Sequence, residues 1–530
     1  MLDFARKIFT TPQHYRDMLL KAGLITGNIQ NFLGKSFICV SLTRFCPVGC
    51  KFCFFKSSPV FKKTTIEDVI TPLGVDKFIH FANNVNLGYL LVSGGGEPMM
   101  EKKSILEIIK NVESERISLV TSAHWAKSRE SAQRYLSDIK DALATRKSET
   151  SLTIRVSVDL EHLATLTFAP IINLINLFSE EYFNIPQLEL QIHSLDGDST
   201  INELIDLLKQ DFAISRRNVD EKRISDGKNA IKIVPKQEII SFNKLQIKVG
   251  YAKTFYSNLR VNICDHNAIH RNIAVYQKDL IESEDGNSSI VTNKLGQPGL
   301  DFWINYNGNV TTWGNQYLDN LFNLYVDSVE DIVSGTLSDP AALAFIEKGA
   351  IYRDRIVSEA NETAVIRSKA VNIRDYTGAL MFDEARTRLY YTIRVLQDYI
   401  AESRINISLV KGLSNELQEV LSLEKDVLIA AYNDSTYTIV EEIITRGFDR
   451  DYVLDILEWI KLGHYKLQDK SIQKLIDFYN NHFPSSEQIN SIDKLDHNLK
   501  MQVVRMTEHL THIKQEALDF YKAEELKSIA

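Results

Sequence analysis

Between residues 35 and 255, short β-branched runs alternate with longer amphipathic stretches, and no other feature of the sequence restricts its fold as tightly. Parallel strands joined by crossover helices give this pattern. Six strands are predicted, at residues 36–42, 87–93, 117–122, 151–159, 188–193 and 245–251, with helices such as 104–113 and 164–178 between them. An α/β fold follows. Six such units are enough for a partial (β/α)6 TIM-like barrel, in which chemistry belongs at the carboxyl ends of the strands.

Three of the five cysteines fall within eight residues, Cys46-Pro47-Val48-Gly49-Cys50-Lys51-Phe52-Cys53, directly after the first predicted strand. Thiolates this close hold a metal. A structural zinc site normally closes with four protein ligands, and no histidine or fourth cysteine is near. A [4Fe–4S] cluster on three thiolates leaves one iron open to a small molecule. A zinc knuckle in a non-catalytic scaffold stays as the alternative on the residues alone. Gly49 suits a tight turn in this loop. A second run, Gly95-Gly96-Glu97-Pro98, follows the second predicted strand, and Ser122-Ala123-His124 follows the third.

The C-x3-C-x2-C spacing, with Phe52 ahead of the last cysteine, resembles the signature loop of the radical S-adenosylmethionine (SAM) superfamily, and the Gly-Gly-Glu-Pro run is similar to its second motif. The resemblance covers about half of the chain. It implies a partial barrel over residues 35–255 with Cys46, Cys50 and Cys53 as cluster ligands and SAM on the open iron. The implied reaction is reductive cleavage of SAM to a 5′-deoxyadenosyl radical that abstracts hydrogen from a substrate. By the same resemblance Phe52 packs beside the adenine, Glu97 accepts from the SAM ammonium, and Gly95 and Gly96 let the backbone approach its methionyl part. Ser157 and Asp159 would hold the ribose, and Arg155, on the same side of the strand, would pair with the SAM carboxylate. Solvent-facing polar residues, or a helix cap at Asp159, are the alternatives there. Ser122, Gln191 and His193 are further lumen candidates by alternation. Tyr251 and Cys264 are the candidate hydrogen-atom donors, while Cys39 reads as core. A flavodoxin or ferredoxin is the implied electron donor.

Beyond residue 255 the pattern changes. Residues 301–313 read as a hairpin turning at Asn307-Gly308, with a helix starting near Ser328. This is similar to the start of the SPASM extension of peptide-modifying members, without its auxiliary-cluster cysteines, since no cysteine follows Cys264. It implies a peptide or peptide-bound residue as substrate, with a small-molecule metabolite or RNA as alternatives. The expected divisions are an N-terminal helical segment (1–34), the barrel (35–255), the extension (256–340) and a helical domain (341–530), the last with helices near 414–432, 452–462, 471–478 and 487–522. Length alone predicts two or three domains.

Lys and Arg total 61 against 69 Asp and Glu, a formal charge of −8 that argues against extensive nucleic-acid backbone binding. No apolar stretch reaches the length of a membrane span, and five cysteines are no disulfide framework. A cytoplasmic protein is expected.

Overall fold

The computed structural model describes most of residues 35–264 and 300–337 and shorter stretches from 340 to 495, while residues 1–34, 51–56, 58–68, 265–299 and 496–530 and some smaller segments lie outside the described set. The described residues fall into two compact units, one within Gly27–Thr254 and Asn262–Leu337, the other carried mainly by Ser338–Ala530.

The first unit follows the alternation in the sequence. Strands β1 (Ser36–Val40), β2 (Leu87–Val92), β3 (Arg116–Thr121), β4 (Ser151–Ser157) and β5 (Leu188–Leu195) form in turn. Between them lie α1 (Pro72–Asn84), α2 (Lys102–Asn111), α3 (Arg129–Ala144), α4 (Leu160–Leu166) and α5 (Ala169–Leu177). After α6 (Thr200–Leu208) come β6 (Ile214–Val219), the small pair β7 (Lys222–Ile224) and β8 (Lys232–Val234), then β9 (Gln237–Phe242), β10 (Leu245–Ser257) and β11 (Arg260–Cys264). Strands β12 (Asp301–Ile304), β13 (Asn309–Thr312) and β14 (Phe322–Asn323) complete the unit with α7 (Val329–Leu337). The main path of the sheet runs β14-β13-β12-β1-β2-β3-β4-β5-β10-β9-β6. From β12 to β10 every pairing is parallel, which is the partial barrel, and β6, β9, β13 and β14 extend it antiparallel.

Register separates two faces. Phe302, Ile38, Leu90, Ile117, Leu152 and Leu188 lie side by side across six strands, and Phe302 meets Phe81 of α1 edge-on at 5.1 Å. This apolar face is covered by the helices, each fully buried side chain contributing about 1.5–3 kcal/mol. The alternate rows are polar toward β4, β5 and β10: Ser118, Thr153 and Glu189, then Arg155, Gln191 and Lys248, then Ser157 and His193. They form the inner face.

Several boundaries depart from expectation. The helix expected over 164–178 is two, broken where Thr167 takes φ +60° and Pro170 withholds its N–H from the next turn. Residues 209–243, read without strands, supply β6 and β9. The hairpin expected as a separate extension turns at Asn307-Gly308 and instead lays β12 against β1, within the barrel unit.

In the second unit, α8 (Ala385–Ala401) packs with α9 (Asn415–Leu421) and α10 (Lys425–Asp434), and α11 (Asp469–His482) follows. The single helix expected over 414–432 is interrupted because Gln397 of α8 donates to the carbonyls of Leu421 and Leu423, at 3.1 and 2.8 Å. Residues 488–495 hold one 3-10 turn, Ile492–Lys494, not the start of the long helix expected from 487. Tyrosines here donate to carboxylates, half-buried Tyr352 to Asp398 at 2.8 Å and buried Tyr390 to Glu359 at 3.0 Å.

Candidate functional site

The cysteine loop leaves the carboxyl end of β1, where the barrel argument expects chemistry. Cys46 and Cys50 are half-buried and Gly49 between them has φ +62°, the left-handed turn expected of it. Cys53 and Phe52 lie outside the described residues.

The Gly-Gly-Glu-Pro run holds this loop. A Cβ on Gly96 would lie 2.5 Å from the carbonyl oxygens of both Thr43 and Phe45, and the Glu97 N–H donates to the Phe45 carbonyl at 2.8 Å. Gly95 and Gly96 therefore make room for the stem of the cysteine loop, where the sequence reading had them make room for SAM. Glu97 is likewise reassigned. Its side chain is 2 % exposed. One carboxylate oxygen accepts from the Thr121 hydroxyl (2.7 Å) and the Met99 N–H (3.1 Å), the other from the Ser122 N–H and hydroxyl (both 2.7 Å). Four donors fill a carboxylate's roughly four lone-pair sites, so no position remains for an ammonium group. Glu97 is a latch between the second motif and the end of β3.

That end of β3 is itself tightly made. Thr121 also accepts from the Ala123 N–H (2.9 Å) and the Trp125 indole (3.1 Å), bonds that hold Ala123 in a left-handed conformation at φ +58°. The turn brings His124 Nδ1 to 4.0 Å from Glu97. Burial holds the His124 imidazole below its ordinary range, an effect partly opposed by Glu97 and reinforced by Lys127.

On β4, Arg155 is buried on the inner face beside Gln191, and Ser157 is half-buried one pair further along, beside His193. Asp159 takes the helix-cap alternative. One of its oxygens accepts from the Glu161 and His162 N–H groups at 3.0 and 3.1 Å, and the other holds His162 Nδ1 at 2.8 Å. Ser122 and Ser157 border one small cleft, shared with His162. Gln191 donates to Glu189 at 3.1 Å, and Lys248 pairs with Glu189 at 3.4 Å.

Tyr251 faces the other way. It pairs with Ser194 on the helix-covered face and donates to Glu238 at 2.6 Å, next to Arg216, which also bonds Glu238 and reaches Asn202 of α6. Burial, then the Glu238 acceptor, push its phenol well above the ordinary tyrosine range. A hydrogen donor to the inner face it is not. Cys264 ends β11 in the backbone, and its side chain lies outside the described residues. Cys39, 2 % exposed, is core as expected.

Four residues escaped the sequence reading as site members: Thr121, His162, Glu189 and Lys248. The period-two rule that selected Gln191 also points to Glu189, two residues earlier. Thr121 and His162 carry no such local signal.

Residues 33–156 match a family model described as a 4Fe-4S single cluster domain, a type associated with radical-SAM proteins. The barrel's first half is similar to an iron–sulfur domain. The matched segment holds the cysteine loop, the latch and β1 to β4 up to Val156. No curated protein matches the chain. Among the described residues, no single helix is long and apolar enough to cross a membrane.

Proposed function

We propose that Cys46, Cys50 and Cys53 hold a [4Fe–4S] cluster and that the chain is a radical-SAM enzyme. The observation that carries this reading is the cysteine loop, at the carboxyl end of β1, braced by Gly96 and Glu97 inside a segment that matches a 4Fe–4S domain. The donor set fits the group, since two half-buried thiols flank a left-handed glycine and the third lies three residues on. When bound, the cluster would supply the electron that cleaves SAM to methionine and a 5′-deoxyadenosyl radical for hydrogen abstraction. The chain's own part is to brace the loop through Glu97 and to set Arg155, Ser157, Gln191 and His193 along the inner face. Flavodoxin or ferredoxin would reduce the cluster.

For the substrate, the hairpin's likeness to the SPASM start supports a peptide or peptide-bound residue. A small polar metabolite is the second reading, favoured by the inner face, where Arg155, Glu189, Gln191, His193 and Lys248 crowd three strands. The test is anaerobic reconstitution with iron and sulfide, then SAM and dithionite, with 5′-deoxyadenosine read by mass spectrometry. It should form, and a Cys50→Ala variant should not make it. A protein that takes up zinc and no iron would overturn the proposal in favour of a scaffold.

A further inference from the structure

The main path of the sheet ends at β6, and among the described residues no strand pairs with it on the side away from β9. Its outer edge has a definite pattern. The Asn243 N–H donates to the Ala213 carbonyl at 3.0 Å, directly ahead of the Ile214–Phe242 pair. Hydrogen-bonded pairs alternate along an antiparallel ladder, so Ser215 and Arg217 turn their backbone groups to β9, and Ile214, Arg216 and Asn218 turn theirs outward. Residues 215–218 are all exposed. An edge of this kind is a template for another strand unless it is covered or broken, and β6 contains no proline and keeps one register with β9 throughout.

The surroundings say what fits there. The offset of β6 on β9 carries on through β7 and β8, with Val219 opposite Gln237 and Lys222 opposite Val234, so the paired stretches between residues 214 and 242 belong to one ribbon. Both β6 and β10 run antiparallel to β9, and β10 is parallel to β5. The ribbon therefore leaves the sheet at the carboxyl ends of the barrel strands, the rim that carries the cysteine loop. Residues 214–242 hold seven Lys and Arg against four Asp and Glu, in a chain of net charge −8. Arg216 is neutralised by Glu238. Arg217 lies opposite Ile239, which lies opposite Lys248, so it extends the inner face, and it pairs with no carboxylate among the described residues. A second copy of the chain fits poorly: two β6 edges paired over their full length set Arg216 opposite its own copy and the two Arg217 side chains diagonal to each other, and like charges across strands are destabilising.

We infer that the β6 edge is a docking strand for an acidic peptide segment, which joins the sheet in extended form, exchanges backbone hydrogen bonds with Ile214, Arg216 and Asn218, and sets carboxylates beside Arg217. The inference rests on the peptide reading of the proposed function, and it assigns recognition of that peptide to a stretch apart from the residue that reacts.

The test is fluorescence anisotropy on the full-length protein with labelled octapeptides of alternating Val-Glu and alternating Val-Lys. The Val-Glu peptide should bind about tenfold more tightly than Val-Lys. Asn218→Pro removes an outward N–H and no ladder bond, and should weaken Val-Glu binding about tenfold while the protein melts as wild type. Arg217→Glu, a change at an exposed side chain, should invert the preference between the two peptides, and it decides alone if Asn218→Pro melts early. Wild-type affinity for Val-Glu in a stable Asn218→Pro, an unchanged preference in Arg217→Glu, or binding of neither peptide by the wild type would overturn the inference. So would a wild-type dimer in light scattering that Asn218→Pro converts to monomer, which gives the edge to a second copy, or tighter binding of an oligouridine than of Val-Glu, which gives the ribbon to RNA. Peptide binding needs no cluster, so a protein that binds Val-Glu as expected yet takes up no iron overturns the proposed function alone.

Discussion

Replacing Glu97 by glutamine tests whether this side chain is a latch or a ligand. The substitution keeps size and removes one acceptor oxygen. Each oxygen of Glu97 now serves one backbone N–H, from Met99 or Ser122, and one hydroxyl, from Thr121 or Ser122. The Ser122 hydroxyl can rotate to accept from the new amide, whereas that of Thr121 already accepts from Ala123 and Trp125 and no backbone N–H can accept, so whichever way the glutamine turns, one buried N–H faces a donor. An unsatisfied buried N–H costs about 1–3 kcal/mol. Taking about 2 kcal/mol, the barrel unit, with its larger unfolding entropy, should melt about 3 °C lower, and iron uptake should fall because the Phe45 carbonyl, bonded to the Glu97 N–H, loses its fixed partner. Circular dichroism melting under nitrogen and iron and sulfide assays read both. A Glu97→Gln protein that melts and loads iron like wild type, yet binds S-adenosylhomocysteine weakly, would refute the latch and restore the direct contact with the ammonium.

Gly96→Ala places a methyl 2.5 Å from two carbonyl oxygens of the loop stem, and should cut iron uptake severely while the helical unit melts unchanged. Cys46→Ala and Cys50→Ala should each abolish the cluster's visible absorbance with little change in far-ultraviolet circular dichroism. Tyr251→Phe should leave 5′-deoxyadenosine formation intact, and slow formation would show that its place on the outer face has been misjudged. The same residue gives a pH signature. Its phenol is raised from an ordinary value of 10.0 by burial and then by Glu238, so the unfolded chain ionises first, and stability that is whole below pH ~10 declines as pH rises beyond it. Tyr352 and Tyr390, raised by burial and by their carboxylate partners, act alike in the helical unit. Melting followed from pH 9 to 11 should show the decline, shallower for the barrel unit in Tyr251→Phe.

What the sequence disclosed and what it hid divide along physical lines. β1 to β5 were legible because buried parallel strands are written as continuous β-branched runs, and their order follows from short crossovers. β6 and β9 were not, because their helix-covered face carries Arg216 and Glu238, charges that neutralise one another across the pair and break the apolar alternation. The cysteine loop announced itself by spacing. Glu97 showed its presence but not its role, since three of its four donors are on residues 24 and 25 positions later. Asp159 was ambiguous for a different reason: an aspartate ending a strand and opening a helix reads the same whether it caps or binds.

The insertion of β12 beside β1 bears on how the protein is made. During synthesis β1 emerges early, and β2 to β5 can join it on one flank in order. Its other flank is closed only when residues 300–304 arrive, through bonds such as Phe37 N–H to the Leu300 carbonyl and Ser41 N–H to the Ile304 carbonyl, both 2.8 Å. Until then the strand that carries the cysteine loop is an exposed edge, open to mispairing with other chains, and its closure is a contact of high sequence separation, slow by nature. A nascent or truncated chain ending before residue 300 would thus expose its thiols on an unfinished platform, which makes premature oxidation and aggregation, more than loss of any side chain, the hazard that expression of this protein has to avoid.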